Sequence, residues 1–305
     1  MTDQLHKGAT LAILASIALV VACLAGCSRG AQPPSTAEAP APPPQPSAPT
    51  QQTTVITVFS PCAFAKAAVE IGKLFEQQNP GVKVNCVVEN VGVLQPRIER
   101  GEKPEAFLGV GDHEVKTLES KGLVEYAQDF CFTSLALVVP ASNPAGIKTL
   151  ADLAKPQVKT IAIADDARSA GYYARQLLEE KGLWDKVQKK LVRPRFPVEL
   201  LKLAAQGKVQ ATIAYGTCFR SGEQEKKELT GKIKLISDFQ ADFCQTIPCR
   251  AAVIKGAAHA DLGRKFVDFL TTEEAQKILA KAGFMTLSEP KCFPPEGKSE
   301  GKEPA

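Results

Sequence analysis

The feature that most constrains the fold is an alternation of strand and helix patterns between residues 54 and 289. Residues 55–59 are a β-branched run, and after it apolar side chains recur at helical spacing from Phe64 to Phe75. Strands that alternate with helices pair mainly in parallel and are covered by helices on both faces. Because no internal repeat is visible, we predict an α/β fold whose two lobes come from unlike parts of the chain. Further strands are predicted at 82–88, 106–110, 134–139, 160–164, 211–215, 231–236 and 250–254, and helices at 113–120, 170–181 and 197–206.

The first 27 residues carry an export pattern. Lys7 precedes an uncharged apolar run over residues 11–21, which is too short to cross a bilayer and is typical of a signal peptide. The run is followed by the tetrapeptide Leu24-Ala25-Gly26-Cys27, which resembles the lipobox of bacterial lipoproteins. That resemblance implies removal of residues 1–26 and a lipid on the sulfur of Cys27. We therefore expect a chain that is lipid-anchored to the membrane and faces the periplasm or the cell exterior.

Two segments of biased composition flank the predicted domain. Residues 27–53 are rich in proline and show no apolar periodicity, which is typical of an extended tether. Residues 290–305 are again rich in Pro, Gly, Lys and Glu, and we expect a disordered tail that Cys292 could attach to the domain. The sequence thus predicts one folded domain held away from the membrane by its tether.

Composition and motifs argue against nucleic-acid binding and against catalysis. The net charge is only +4, from 37 basic and 33 acidic side chains, and no basic stripe with interleaved aromatic residues occurs. The sequence lacks a G-x-S-x-G elbow, a P-loop and a G-x-G-x-x-G turn. The mature chain keeps only His113 and His259, too few for a histidine-built zinc site, and we interpret His113 as part of a solvent-facing first helical turn. The prediction is a binding protein without a cofactor.

From about residue 53 to residue 284 the chain resembles the periplasmic molybdate-binding proteins of ABC importers. The resemblance rests on short strings that occur in the same order along the whole domain. They are residues 57–59 (TVF), 75–82 (FEQQNPGV), 97–101 (RIERG), 135–148 (LALVVPASNPAGIK), 169–174 (SAGYYA), 181–185 (KGLWD), 213–216 (IAYG), 251–256 (AAVIKG) and 274–284 (EAQKILAKAGF).

The resemblance implies a type II periplasmic-binding-protein fold, in which two mixed sheets flanked by helices are joined by two hinge strands. One lobe would take residues 54–133 and 248–289, and the other residues 134–247. The implied function is capture of molybdate, tungstate or a related oxyanion between the lobes and its delivery to a permease with a cytoplasmic ATPase. Such a pocket needs hydrogen-bond donors and positive helix ends but no proton transfer. We expect a monomer that is not an enzyme.

The family's ligand donors are only partly retained in this chain. The two serine positions correspond to Ala63 and Val91, and one main-chain donor position corresponds to Pro197, which has no N–H. Another main-chain donor corresponds to Ala170, and the family tyrosine is retained as Tyr215. Together with neighbouring residues that could donate instead, the ligand-binding candidates are Cys62, Ala63, Asn90, Val91, Arg168, Ser169, Ala170, Tyr215 and Cys218.

The cysteines leave several interpretations open. Seven of nine remain after Cys23 leaves with the signal peptide and Cys27 takes the lipid, and disulfides are expected in an exported chain. An alternative is a thiolate cluster for a soft ligand such as Cu(I), Zn(II) or an arsenic oxyanion, with or without some disulfides. A thiol–disulfide enzyme also stays open, although Cys244 and Cys249 are spaced C-x4-C rather than C-x-x-C. The candidates for the cluster are Cys62, Cys131, Cys218, Cys244 and Cys249.

Overall fold

The structure is a computed structural model that describes residues 53–197, 199–217, 229–239 and 246–289. Within them, ten strands form two five-stranded sheets that are flanked by helices. No helix in this part of the chain combines the length and the apolar composition needed to span a bilayer. The strands are β1 (Thr54–Pro61), β2 (Val82–Glu89), β3 (Ala106–Leu108), β4 (Val124–Thr133), β5 (Leu135–Pro140), β6 (Ile161–Ala162), β7 (Leu191–Val192), β8 (Ala211–Tyr215), β9 (Ile233–Asp238) and β10 (Ile247–Ile254). The helices are α1 (Ala65–Gln78), α2 (Val91–Glu99), α3 (His113–Ser120), α4 (Ser169–Glu180), α5 (Trp184–Val187), α6 (Glu199–Ala205), α7 (Ala260–Phe269) and α8 (Glu273–Lys281).

The first sheet has the strand order β2-β1-β3-β10-β4. β1 pairs in parallel with β2 along its whole length, from Thr54 opposite Val82 to Pro61 opposite Glu89, and it pairs in parallel with β3 on its other side. β10 lies between β3 and β4 and is antiparallel to both. Helices α1, α2, α3 and α7 pack on these strands, and α8 packs on α1. We call this sheet with its helices the first lobe.

The second sheet has the strand order β7-β6-β8-β5-β9. β6 is parallel to both of its neighbours, whereas β5 is antiparallel to β8 and to β9. Helices α4 and α6 pack on its strands, and α5 packs on α4. We call this sheet with its helices the second lobe.

Two strands of the first sheet meet the second lobe at their ends. β4 ends at Thr133, and after Ser134 the chain enters the second sheet at Leu135. β10 begins at Ile247, which pairs with Thr133 and also packs in the apolar core of the second lobe. β4 and β10 therefore lie side by side where the lobes join, and we call them the joining strands.

Aromatic contacts define the core of the first lobe. Phe64 stacks on Phe284, with 4.2 Å between the ring centroids. Phe75, on the buried face of α1, meets the rings of Phe266 and Phe269 of α7 edge-on at 5.3 and 5.4 Å. These contacts tie the first helix of the domain to its last segments, so this core is complete only when both ends of the domain are present.

The predicted alternation of strands and helices is confirmed, but the predictions lack strands β4 and β7 and helices α2 and α5. α3 covers the predicted residues 113–120, and the bounds of α4 and α6 lie within two residues of their predictions. The sequence does not predict β4 because Glu125, Gln128 and Asp129 interrupt its apolar run. It is one of the two edge strands of its sheet and is only partly buried over this stretch, so polar residues are tolerated there.

We expect Phe75→Ala to lower the free energy of unfolding by about 3–5 kcal/mol, because the ring is buried and its removal leaves a cavity between α1 and α7. Val69→Ala on the same helix is the matched control. Val69 is 40% exposed, so its truncation should change stability by less than about 0.5 kcal/mol. Urea unfolding followed by circular dichroism measures both variants. Equal losses would show that the contact between α1 and α7 does not hold the lobe together.

Candidate functional site

The two lobes meet at residues 110–114, which run from the loop after β3 into the first turn of α3 and which we call the contact segment. Its backbone comes very close to the second lobe at Gly111, where φ is +110°. A Cβ atom on Gly111 would lie 2.8 Å from the Tyr173 ring and 2.9 Å from the Ser169 Oγ. Glycine is therefore needed here both for its backbone conformation and for the space it leaves.

A carboxylate of the first lobe contacts the start of α4 in the second lobe. One oxygen of Glu114 accepts the Ser169 N–H at 2.9 Å, and the other accepts the Ser169 hydroxyl. Glu114 and Ser169 are only 1% and 2% exposed, and the next residue, Ala170, is buried in the first turn of α4. A carboxylate removed from water needs such hydrogen bonds, and the positive end of a helix favours it further. Glu114 thus fills an anion position at the N-terminus of α4.

Local hydrogen bonds fix where α4 begins. The Asp165 carboxylate accepts the Ala167 N–H at 2.9 Å, and the Asp165 carbonyl accepts the Arg168 N–H at 3.0 Å, which turns the chain into the helix. The Tyr172 N–H then donates to the Arg168 carbonyl at 2.8 Å as the first helical bond. The N–H groups of residues 169–171 precede this bond and have no partner within the helix. The N-terminus of α4 is therefore a source of main-chain donors at the lobe interface.

A second contact between the lobes joins Asp112 and Tyr173. The Tyr173 hydroxyl donates to the Asp112 carboxylate and accepts the Asp112 N–H at 3.2 Å. Lys116, one turn along α3, pairs with the same carboxylate at 2.6 Å. Burial by itself would raise the pKa of Asp112, but the hydrogen bonds from Lys116 and Tyr173 outweigh it and lower that pKa. Burial, helped by the Asp112 carboxylate, raises the pKa of Tyr173 well above its usual value, so the hydroxyl keeps its proton.

Two of the predicted candidates make further contacts with the first lobe. The Tyr215 hydroxyl donates to the Val110 carbonyl at 2.8 Å. The Arg168 guanidinium extends to α2, where its Nη1 lies 3.5 Å from the Gln95 Oε1 and its Nη2 would lie 3.1 Å from a Cβ on Gly92. Arg168 and Tyr215 therefore both lie at the lobe interface.

His113 is also part of this interface. Its ring stacks on Tyr172 of α4, with 4.3 Å between the centroids and 22° between the planes. The side chain is half-buried. The interpretation of this residue as part of a solvent-facing turn is therefore wrong, because α4 packs over the start of α3.

The first-lobe candidates lie just beyond β1 and β2. Cys62 and Ala63 are exposed in a short 3₁₀ turn that follows β1. Asn90 caps α2, since its side-chain oxygen accepts the Gly92 N–H at 2.8 Å, and Val91 is the first helical residue. Ala63 and Val91 have no hydroxyl, so neither can replace the side-chain donor that the family resemblance assigns to its position.

Apart from Cys62, which is exposed in the turn after β1, the cysteine candidates fall into two groups. Cys218, Cys244 and Cys292 lie outside the described residues. Cys131 and Cys249 are fully buried in the apolar core of the first lobe, opposite each other on the joining strands. Among the residues that the structure describes, no three His, Cys, Asp or Glu side chains come together as a metal site. The soft-metal alternative therefore stays a prediction that depends on the undescribed cysteines.

Sequence reasoning missed Asp112, Glu114 and Tyr173, which form hydrogen bonds between the lobes. One signal was available, because two acidic residues at the start of a helix that follows a buried strand occupy a typical ligand position in α/β folds. Their partners are 55 and 61 positions away along the chain. No local pattern predicts a pairing over such a separation.

Comparison with known proteins places this chain in a family. Residues 56–285 match the model of a family described as bacterial extracellular solute-binding proteins. A relative from Bacillus subtilis, named as the ABC transporter substrate-binding lipoprotein YvgL, is 22% identical over 242 residues, which are 79% of this chain and 90% of that protein. The molybdate-binding protein ModA of Rhodobacter capsulatus is 26% identical over 226 residues, covering 73% of this chain and 85% of that protein.

A solved structure shows the same architecture. The periplasmic molybdate-binding protein of Azotobacter vinelandii superposes with a TM-score of 0.59 at 18% identity, over 75% of this chain and 98% of that one. The type II periplasmic-binding-protein fold and the resemblance to the molybdate-binding proteins are thereby confirmed. The matched residues include both sheets and the contact segment, and the chain belongs to the bacterial extracellular solute-binding proteins, as a substrate-binding protein of an ABC transporter.

Proposed function

We propose that this protein captures an oxyanion of the molybdate or tungstate type at the N-terminus of α4, in the place that the Glu114 carboxylate occupies. The observation that carries the proposal is the contact between Glu114 and Ser169. In it, a main-chain N–H and a hydroxyl of α4 hold two carboxylate oxygens away from water. The relatives named for molybdate binding support the same class of ligand.

A tetrahedral oxyanion presents to α4 the same chemistry as a carboxylate. Both carry negatively charged oxygens that accept hydrogen bonds, and helix N-termini bind such groups through free N–H groups and the helix dipole. If Glu114 withdraws, the Ser169 N–H and hydroxyl become available to the ligand. Arg168, at the cap position of the same helix, would balance part of the charge of a dianion. Tyr215 could turn its hydroxyl from the Val110 carbonyl toward the ligand.

The donors that hold the internal carboxylate favour anions over neutral solutes. Each hydrogen bond to a charged group contributes about 1.5–3 kcal/mol, so a ligand that breaks the two Glu114 bonds must replace them. An oxyanion restores charge-assisted bonds to both donors, whereas a neutral solute does not. Displacing Glu114 costs the same for every ligand, so the preference for an oxyanion comes from the bonds that it forms with these donors.

The proposal extends to the anchoring of the protein. Residues 1–26 would be removed on export, Cys27 would carry the lipid, and residues 27–53 would tether the domain to the membrane. The lipoprotein name of the relative YvgL supports this arrangement. From the membrane surface, the loaded protein would deliver its oxyanion to a permease that a cytoplasmic ATPase drives.

Isothermal titration of the purified protein with molybdate, tungstate and sulfate tests the ligand class. We expect saturable binding of molybdate or tungstate. A response to sulfate alone would retain the oxyanion class but replace the ligand. No heat and no thermal shift with any of the three at millimolar concentration would contradict the oxyanion proposal and leave the family assignment intact.

Replacing Glu114 with Gln should raise the affinity for the bound oxyanion by about 10–100-fold, because the amide keeps the size of the side chain but loses the competing charge. Glu125→Gln is the matched control, since Glu125 is exposed on β4 and its replacement changes the net charge equally. Titration calorimetry measures both variants. An unchanged or weaker affinity for Glu114→Gln would show that this carboxylate does not compete with the ligand.

Tyr173→Phe should loosen the contact segment, because it removes the hydroxyl that both donates to and accepts from Asp112. We expect the Asp112 N–H to exchange with solvent about 10–100-fold faster, as for a lost hydrogen bond to a charged group. Tyr172→Phe is the control, since that hydroxyl accepts from Gln176 of its own helix and the ring can still stack on His113. Hydrogen exchange followed by mass spectrometry measures residues 110–114. Equal protection in Tyr173→Phe and the unaltered protein would contradict the expectation.

The contact should also weaken in acid. Because the folded protein lowers the pKa of Asp112, its ionised form stabilises the fold above the ordinary aspartate pKa of about 3.9. This contribution is lost as the pH falls through the lower pKa of the folded state. We expect the melting temperature of the unaltered protein to fall more steeply below about pH 4 than that of Asp112→Asn, which lacks the carboxylate. Parallel pH profiles would count against the role given to Asp112.

A further inference from the structure

A pair of cysteines on the joining strands has no role in the proposed site. Cys131 of β4 and Cys249 of β10 are direct partners in the antiparallel register, two positions from the pair of Thr133 and Ile247 at the lobe boundary. Both residues are 0% exposed and lie in the apolar core of the first lobe. Both are free thiols, close enough for Cys249 to raise the pKa of the Cys131 thiol further than burial alone does. Two sulfur atoms are thus held together beside the point at which both strands reach the second lobe.

We propose that Cys131 and Cys249 form a disulfide that fastens the joining strands to each other. The register supplies the geometry, because directly opposed residues on antiparallel strands have Cα atoms about 4.5–5.5 Å apart. A disulfide requires a Cα separation of about 4.4–6.8 Å. The bond can therefore form without a change in strand pairing.

The chemistry of the bond is an exchange with an external disulfide. Joining the two sulfur atoms releases two protons and two electrons, and a disulfide such as oxidised glutathione takes them up and becomes two thiols. In the folded protein before oxidation, burial raises the pKa of the Cys131 thiol well above its usual value, and the neighbouring Cys249 thiol raises this pKa further. The reactive thiolate is therefore scarce once the core has formed. We expect oxidation to take place while the chain folds, and the finished bond to be shielded from reductants.

Cys86 provides an internal comparison on the same sheet. It lies on β2 opposite Val58, and its thiol donates to the Ala68 carbonyl at 3.5 Å. Burial raises its pKa to about 11. Because its partner across the strand pair is a valine, Cys86 should remain a thiol under conditions that oxidise Cys131 and Cys249.

The position of the bond matters for motion between the lobes. If the lobes of this fold move relative to each other, the movement must pass through the joining strands, which connect the two sheets at Thr133 and Ile247. A cross-link two positions from this boundary would keep the two strands in register while the chain beyond it bends. The disulfide would therefore confine the bending to the part of the joining strands between the cross-link and the second lobe.

Peptide mapping of the full-length protein, refolded with reduced and oxidised glutathione and then alkylated in denaturant, tests the proposal. Trypsin leaves Cys131 as the one cysteine on residues 122–148, but it leaves Cys249 on residues 235–250 together with Cys244. The Cys244→Ser variant removes this ambiguity, and fragment spectra resolve it in the unaltered protein. We expect these two peptides to be linked and Cys86 to be alkylated in the same sample. Alkylated Cys131 and Cys249, or a link from either to another cysteine, would overturn the proposal.

A stability measurement tests whether the bond fastens the strands. The bond would close a loop of more than 100 residues, so its loss should lower the melting temperature by roughly 5–15 °C. We therefore compare the melting temperatures of oxidised and reduced protein. Cys86→Ala is the control, and it should show the same difference between the two forms as the unaltered protein. The double variant Cys131→Ala/Cys249→Ala should show a smaller difference than the control. Equal differences in the two variants would overturn a stabilising role for this bond.

Discussion

The pairing of a buried carboxylate with the start of α4 is the interaction on which the rest of the site depends. A carboxylate that is almost completely removed from water is stable only if hydrogen-bond donors replace the water, and Ser169 supplies two of them to Glu114. This requirement brings α4 against the contact segment. Gly111 then has to lack a side chain, and Tyr173 comes within reach of Asp112. The requirement for hydrogen-bond donors to the buried Glu114 carboxylate thus sets how closely the two lobes approach each other at the contact segment.

The same pairing explains how the chain could keep an anion site while its side-chain donors change. Alanine and valine stand at the positions that the resemblance assigns to the family serines, yet the N-terminus of α4 still holds the carboxylate oxygens of Glu114. Main-chain donors at a helix end do not depend on residue identity in the way that a hydroxyl does. A site built on such donors can lose individual side chains and still prefer anions, although with less power to select among anions of similar size.

The joining strands and the contact segment have opposite physical characters. The joining strands pair along an antiparallel ladder whose register shifts after Cys249 and after Val253, and they carry apolar, buried side chains near the boundary, so they form a permanent connection. The contact segment is held by a few polar contacts to the second lobe, each of which can be exchanged for a contact with a ligand or with water. This difference is what a binding protein needs, because its lobes must separate at one place and stay attached at another.

The sequence by itself determined most elements of the fold, the family and several candidate residues of the site. Hydrophobic periodicity reports which side of each element is buried, and this information is local, so α3, α4 and the strand-helix alternation follow from it. The resemblance to the molybdate-binding proteins placed Arg168, Ser169, Ala170 and Tyr215 among the candidates. Only the tertiary structure decided that Glu114 meets Ser169 across 55 positions, or that β4 puts Cys131 opposite Cys249. These pairings depend on how the sheets are connected and on strand register, and neither can be recognised from the periodicity of the sequence.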